Sequence, residues 1–318
     1  MPKVSFVMPA YKRSFLREAI ASILAQTYTD FELVIVDDAS PENLKEVVDT
    51  FSDSRLVYYR NEHNIGGADL AAAWNHAMKY ASGEWCVLAG DDDVYHKDYL
   101  YEMMRLSEKY PKVDIFHCRT GNIDADGNLL NWGDCHPEYE TCLEYLYFHG
   151  CRRYNQGAPD FMFRHSALLR IGGFISFPAA IWSDDATWYK LAQVNGIGFS
   201  SSLLFYFRLS GVSVSTRRDN LFPKIEATYQ FMKWADEFLR NLAVEKKEQE
   251  LKHYVDLHLP IVCSGMADYF FGQAPLRTWF KLVRTVSFPS RKAKHNAIKN
   301  RFRRLVLSAV YRLSLGYL

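Results

Sequence analysis

The chain has 318 residues, 48% hydrophobic and 24% charged, the balance of an ordinary globular protein with room for one large domain and an appendage, or for two modest domains. No run of about 18 uncharged apolar residues occurs, so no transmembrane helix is expected, and Lys12 and Arg13 follow the first apolar stretch too soon for a secretory signal. Net charge is +1, yet residues 269–318 carry eleven Lys/Arg and no Asp or Glu, which leaves the remainder at −10; a basic end on an acidic body points to an anionic surface as its partner.

The elements follow in chain order. Residues 4–8 read as a buried strand. Ser14 is placed to cap the next helix, whose Leu16, Ala19, Ile20, Ile23 and Leu24 share one face. A second buried strand, residues 32–36, ends at Asp37-Asp38; a polar helix over 41–51 and a strand over 55–59 come next. The alanine-rich stretch 69–80 predicts a helix, 84–89 a strand, 97–110 an amphipathic helix and 113–118 another strand. Strands alternating with helices predict a parallel-type sheet covered on both faces. Beyond it, Asp126-Gly127 marks a hairpin turn, 161–163 a strand, 183–194 a helix and 198–209 one or two strands, after which the pattern is helical to the end. We place the boundary so that residues 1–217 form the α/β domain and 218–318 a helical, basic region.

In open α/β sheets, ligands bind beyond the carboxyl ends of the strands. Here those ends carry Pro9-Ala10-Tyr11 with Arg13 behind, Asp37-Asp38, and Gly90-Asp91-Asp92-Asp93. Five carboxylates along one sheet edge call for a counter-charge, and Mg²⁺ or Mn²⁺ with a phosphate-bearing ligand supplies one; a solvated acidic turn with helix-capping roles is the bland alternative. Neither GxGxxG nor GxxxxGK[ST] follows the first strand, which argues against a dinucleotide-binding domain and a P-loop. Cys135, His136, Cys142, His149 and Cys151 lie near one another, but their spacing matches no common zinc pattern, and reduced thiols of a cytoplasmic protein are expected.

Seven segments in one order, VSFVMPAYKR, ELVIVDDAS, NIGGADLAAAWNHA, LAGDDDVYHKDYL, FRHSALLRIGGF, SDDATWYKLA and YFRLSGVSVS, spread over residues 3 to 215. In these the chain resembles the family 2 glycosyltransferases. The resemblance implies a GT-A fold, a Rossmann-like nucleotide-sugar-binding sheet sandwiched by helices, here with a C-terminal helical extension. It implies inverting, Mn²⁺- or Mg²⁺-assisted transfer from a nucleotide-sugar donor, UDP-linked above all, to a saccharide or lipid-linked acceptor in polysaccharide or glycoconjugate synthesis, with no nucleic acid as partner.

Carried over residue by residue, Pro9, Ala10, Tyr11 and Arg13 would line the base and ribose pocket, and Asp37 or Asp38 would bind the base. Asn64 and Gly66 would flank the nucleotide. Gly90 stands where the family usually begins its acidic motif. That shift makes Asp92 the metal ligand, with Asp91 or Asp93 as ribose or diphosphate partner and Asp93 also in reach of the metal. Asp185, followed by Trp188 at the family's offset, takes the base role beside Asp184, whereas helix capping by Ser183 or Asp184 is the structural alternative. Gly172, Gly173 and Phe174 match an acceptor-side turn, Trp182 or Trp188 would stack on a sugar or pack in the core, and Arg208 would contact the diphosphate. QFMKW at 230–234 nearly spells the QxxRW signature of processive synthases, with lysine for arginine. A silent sugar- or nucleotide-binding module is the other alternative, and intact Asp92 and Asp185 speak against it. The helix expected over 302–317 is amphipathic and arginine-rich, suited to peripheral association with an anionic membrane on its cytoplasmic face.

Overall fold

The computed structural model describes residues 2–151, 156–209 and 221–286, with 288, 294–295 and 297–300 beyond them. The proposed 302–317 helix therefore lies outside the described residues.

The first half winds β1 (Val4–Ala10), α1 (Leu16–Leu24), β2 (Phe31–Asp37), α2 (Leu44–Val48), β3 (Leu56–Arg60), α3 (Leu70–Ala77) and β4 (Trp85–Leu88). Next come β5 (Val94–Tyr95), α4 (Tyr99–Lys109), β6 (Ile115–Ile123), β7 (Leu129–Trp132), β8 (Tyr139–Glu140), α5 (Cys142–Tyr145), β9 (Phe161–Arg164), α6 (His165–Arg170), α7 (Ser183–Ala192) and β10 (Ile197–Arg208). Three helices follow, α8 (Leu221–Asn241), α9 (Gln249–Gln273) and α10 (Leu276–Thr285).

The sheet runs β3-β2-β1-β4-β9-β6-β10-β5, with β7 on β6 and β8 on β10. Strands β1 to β4 pair in parallel, as expected, and so do β6 and β10. The sheet is nonetheless mixed, because β9 inserts antiparallel between β4 and β6. Phe161, Met162 and Phe163 are fully buried, so the strand needs a central place. The turn Asp126-Gly127 joins β6 to β7 as a hairpin, with Gly127 at φ +83°.

Strand alternation sorts the core into two layers. Phe6 and Met8 of β1 and Trp85 and Val87 of β4 pack under α1, α2 and α4. Val7, Cys86 and Leu88 face the other way, toward α5 and α7. Burial on both faces explains why these strands read as continuous apolar runs. Phe231, Ala235 and Phe238 of α8 and Val255, Leu259 and Cys263 of α9 join that second layer, so the first two helices of the basic region share a core with the sheet. Trp234 packs against Phe238 at 5.0 Å and lies in this helical layer. Among the described residues no helix is long and apolar enough to cross a membrane.

Two helix starts differ from the sequence expectation. Helix α1 begins after Phe15 with no side-chain cap, so Ser14 does not cap it. Helix α2, expected over 41–51, is confined to Leu44–Val48 and capped by the Asn43 side chain, while the Ser40 hydroxyl donates to the Tyr11 carbonyl at 2.6 Å.

Candidate active site

A cavity of about 650 Å³ opens at the carboxyl ends of β1, β4 and β6. Pro9, Lys12, Asp91 and Asp92 form one side, and Asp184 and Asp185 stand in the same wall system from the start of α7. Trp74 of α3, Phe207 of β10, and Met266, Tyr269 and Phe270 of α9 supply apolar surface. This is the size and mixture of a small-molecule site.

The acidic turn after β4 divides into three different carboxylates. Asp91 accepts the backbone N–H groups of Tyr11 at 2.8 Å and Lys12 at 2.7 Å, so it shapes the turn after β1. Burial lifts its carboxyl above the usual range despite the nearby Lys12. Asp92 borders the cavity and pairs with the Lys12 ammonium, which also reaches Asp91 at 3.2 Å. Burial pulls the Lys12 ammonium down, but Asp91 and Asp92 outweigh it and the net shift is upward, holding the charge. Asp93 turns inward and accepts the Arg208 N–H at 2.9 Å. Burial and neighbouring Asp92 hold its carboxyl well above the carboxylate range. Asp93 thus does not border the cavity, contrary to the expected metal role. The same inward turn accounts for Gly90: a Cβ there would collide with the Asp93 carboxylate.

Lys12 was missed because the motif drew attention to its neighbours. It supplies one counter-charge, shared between Asp91 and Asp92, as Arg60 supplies one to Asp37. The residues present fit a divalent cation. Asp92 offers a carboxylate at the cavity, Lys12 is a long flexible side chain that can release it, and Mg²⁺ or Mn²⁺ needs only one or two protein carboxylates beside phosphate oxygens.

The second acidic pair is occupied by the protein. Asp37 binds Arg60, the Tyr58 hydroxyl at 2.5 Å and the Ser40 N–H at 2.8 Å. Burial and the Asp37 bond push the Tyr58 hydroxyl up to about 12. Asp38 accepts from Ile65 N–H at 2.9 Å, Gly66 N–H at 2.7 Å and the Asn61 amide at 2.7 Å. Asn64 returns a bond to the Asp38 carbonyl at 3.0 Å. Asp38, Asn64 and Gly66 thus form an anchored loop, and neither Asp37 nor Asp38 borders the cavity. Ala10 is buried and Tyr11 is exposed at the rim of the same turn. The Arg13 guanidinium points away from the cavity, pairing with Glu46 at 2.7 Å and the Asn43 carbonyl at 2.9 Å.

Arg208 also departs from its expected role. It is 1% exposed, and its guanidinium donates to the carbonyls of Asp92 (2.8 Å), Asp124 and Ala125 (both 3.1 Å) and to the Glu18 carboxylate (2.6 Å). It lies 4.5 Å over the Phe15 ring. Arg208 is a brace for the acidic turn, a position that no motif could reveal because its partners are 83 to 190 residues away. Arg208→Met is expected to cost about 3 kcal/mol in urea unfolding, since the buried Asp92 carbonyl loses its donor and three further bonds of the buried guanidinium go with it. Arg208→Lys should not rescue it, because one ammonium cannot donate in four directions. A diphosphate contact would instead cost binding and leave stability unchanged.

On the other side, backbone strain delivers the acids. Ala179, Ala180 and Trp182 have φ of +56°, +53° and +69°, three of the four positive-φ non-glycine residues among those described. The Trp182 ring stacks on Phe231 of α8 at 4.5 Å and donates to Thr228 at 3.2 Å, pinning the kink while bordering the cavity. Ser183 does not cap α7; its hydroxyl accepts the Phe177 N–H at 2.9 Å. Asp184 and Asp185 occupy the first helical turn, where the helix dipole favours their charge. Gln156 orients Asp185 with an amide bond of 3.0 Å, and the Tyr145 hydroxyl holds Gln156 at 2.8 Å. Sequence reasoning missed Gln156, which stands outside every motif.

Three further expectations resolve as packing. Trp188 is fully buried and stacked on Phe161 at 4.8 Å, so it cannot meet a sugar. Gly172 and Gly173 adopt φ of +88° and +93° to end α6. Asn75 ties Phe174 through both backbone groups, at 2.7 and 2.9 Å, where a Cβ on Gly173 would clash with it. This turn faces α3 rather than the cavity.

A mixed α/β sheet brings an acidic turn and a separate helix-borne acid pair to one cavity, the arrangement that the resemblance to GT-A glycosyltransferases implies. The Glycosyl transferase family 2 model matches residues 5–174, and the chain belongs to that family. An uncharacterised glycosyltransferase of Rickettsia typhi is 24% identical over 238 residues, 72% of this chain and 70% of that protein. The Escherichia coli UDP-Glc:alpha-D-GlcNAc-diphosphoundecaprenol beta-1,3-glucosyltransferase WfgD is 40% identical over 93 residues, 29% of this chain and 36% of that protein. Among solved structures, S. aureus TarS with UDP-GlcNAc matches with a TM-score of 0.61 at 19% identity, covering 98% of this chain and 92% of that one. The mannosyltransferase of Pyrobaculum calidifontis with GDP-Man and Mn²⁺ matches at 0.54 and 19%, covering 98% and 82%. At such identities these two likenesses speak for the fold.

Proposed function

We propose that the protein transfers a sugar, with inversion, from a nucleotide-diphospho-sugar to a hydroxyl of a saccharide or lipid-linked acceptor. The observation that carries this reading is the single cavity bordered by Asp92 and Lys12 on one element and by Asp185 on another. Asp185 takes the proton of the acceptor hydroxyl as that oxygen attacks the anomeric carbon; the bond to the diphosphate oxygen breaks and the nucleotide diphosphate leaves. Gln156 fixes the carboxylate for that step. Lys12 faces the leaving diphosphate and offsets its charge. Asp92 would hold a Mn²⁺ or Mg²⁺ ion, whose chemistry when bound is to stabilise the negative charge of the leaving group. Trp182 and the α9 residues Tyr269 and Phe270 shape the acceptor side.

A uridine donor and a lipid-linked acceptor are the preferred chemistry, supported by the name of the E. coli relative. The basic composition of residues 269–318 supports work at an anionic membrane surface, as does α10, where Arg277, Lys281 and Arg284 are exposed beside Phe280. We retain residues 1–217 as the transferase domain and 218–318 as a helical, basic region whose α9 borders the acceptor side.

A thermal-shift panel of nucleoside diphosphates with Mn²⁺ tests the reading. UDP is expected to raise the melting temperature most. No shift with any nucleoside diphosphate would overturn donor binding.

A further inference from the structure

Beneath β6, remote from the donor turn, the fold gathers a second polar cluster. His117 comes from β6, Glu140 from β8 and His149 from the π-helical turn Leu146–Cys151. One donor atom of each lies within 4.8 Å of the other two, and all three residues are buried. Glu140 uses Oε1 to bind His136 Nδ1 at 3.0 Å. Its Oε2, and Nε2 of His117, are buried with no hydrogen-bond partner among the described residues. Buried polar atoms are nearly always satisfied, so two unmatched acceptor or donor atoms side by side call for a missing partner. The walls provide none: His117 stacks on Phe161 at 4.9 Å and lies 4.8 Å from Phe199.

We propose that this cluster binds a zinc ion through His117, Glu140 and His149, with His136 orienting the carboxylate and a water completing the shell. Imidazole and carboxylate donors in a closed site suit Zn²⁺, whereas Mg²⁺ and Ca²⁺ would require more oxygens. Two donors on one tetrahedral zinc, with bonds of about 2.1 Å, lie about 3.4 Å apart. The observed spacing of up to 4.8 Å closes on an ion with small side-chain rotations. His117 and His149 meet edge to face, at 71° with centroids 5.5 Å apart. The hydrogen bond from His136 is the outer-shell support that ligating carboxylates commonly have.

The ion would be structural. It ties β6 and β8 to the π-turn, a local geometry that is frequent at functional sites. His149 lies 4.4 Å from the Tyr145 ring, and Tyr145 holds Gln156, the partner of Asp185. Zinc would thus steady the platform behind the acceptor-side acid. Cys142 is turned elsewhere, to the Tyr189 carbonyl at 3.5 Å.

The test is metal content of the full chain, expressed with added zinc and dialysed into metal-free buffer. Wild-type protein is expected to retain about one zinc per chain, to melt lower after chelation and to recover on adding Zn²⁺ alone; Co²⁺ should give a tetrahedral visible spectrum. His117→Ala and Glu140→Gln should lose the metal at least tenfold, while Asp92→Asn and Cys151→Ser keep it. Wild-type protein with less than a tenth of an equivalent and no response to chelator would overturn the proposal without recourse to any variant. Zinc retained by folded His117→Ala, or lost by Cys151→Ser, would overturn the assigned ligands.

Discussion

Asp185→Asn is expected to lower the transfer rate by about 10²–10⁴-fold, the usual worth of a positioned general base, while nucleotide-diphosphate binding is retained. The asparagine keeps the shape and the bond from Gln156 but cannot accept the acceptor's proton. The charge is placed for that work: it sits in the first turn of α7, presented by the strained segment before it and fixed by a 3.0 Å amide bond. Asp184 borders the same cavity and is the control. If Asp184→Asn silences transfer and Asp185→Asn does not, the base is one residue earlier. Product formation at saturating donor, paired with thermal shift by UDP, separates loss of chemistry from loss of binding. Unimpaired transfer in both variants would remove the base from this helix.

Asp92→Asn should abolish the Mn²⁺-dependent part of the UDP thermal shift and lower kcat/KM by about 10²–10³-fold, the scale on which a pre-placed electrostatic group acts. The metal-independent part of the shift should persist, because Lys12 loses a partner but keeps its charge and Asp91. Asp93→Asn serves as contrast. Its carboxylate is turned onto the Arg208 N–H and lies off the cavity, so its loss should act on stability and leave the metal response in place. A Mn²⁺ response that survives Asp92→Asn but disappears in folded Asp93→Asn would reverse the two roles.

Much of this was legible in the chain. Continuous apolar runs predicted the parallel core strands because a strand covered on both faces has no polar side. The acidic turn after β4 and the acid pair at the start of α7 were visible because local spacing sets which side chains leave a strand end or a first helical turn together. The motif also named residues that the fold uses otherwise. Arg13, Asp37, Asp93 and Arg208 sit in the expected segments, but their side chains bind protein groups, and the Gly172-Gly173-Phe174 turn is tied to Asn75 through the Phe174 backbone; none of them borders the cavity. A motif records position along the chain, and orientation depends on partners far from it.

By itself, then, the sequence determined the α/β class, the strand ends that carry charge and the two acidic segments, which follow from periodicity and short-range spacing, and it pointed to the family through the resemblance of seven ordered segments. Only the tertiary structure decided that β9 enters antiparallel, that Lys12 pairs with both Asp91 and Asp92, that Arg208 braces the turn, that α9 borders the cavity and that His117, Glu140 and His149 meet in one buried cluster. Each of these is a contact between segments distant in sequence, chosen by packing and by the need to satisfy buried charge, and neither force leaves a local signature in the chain.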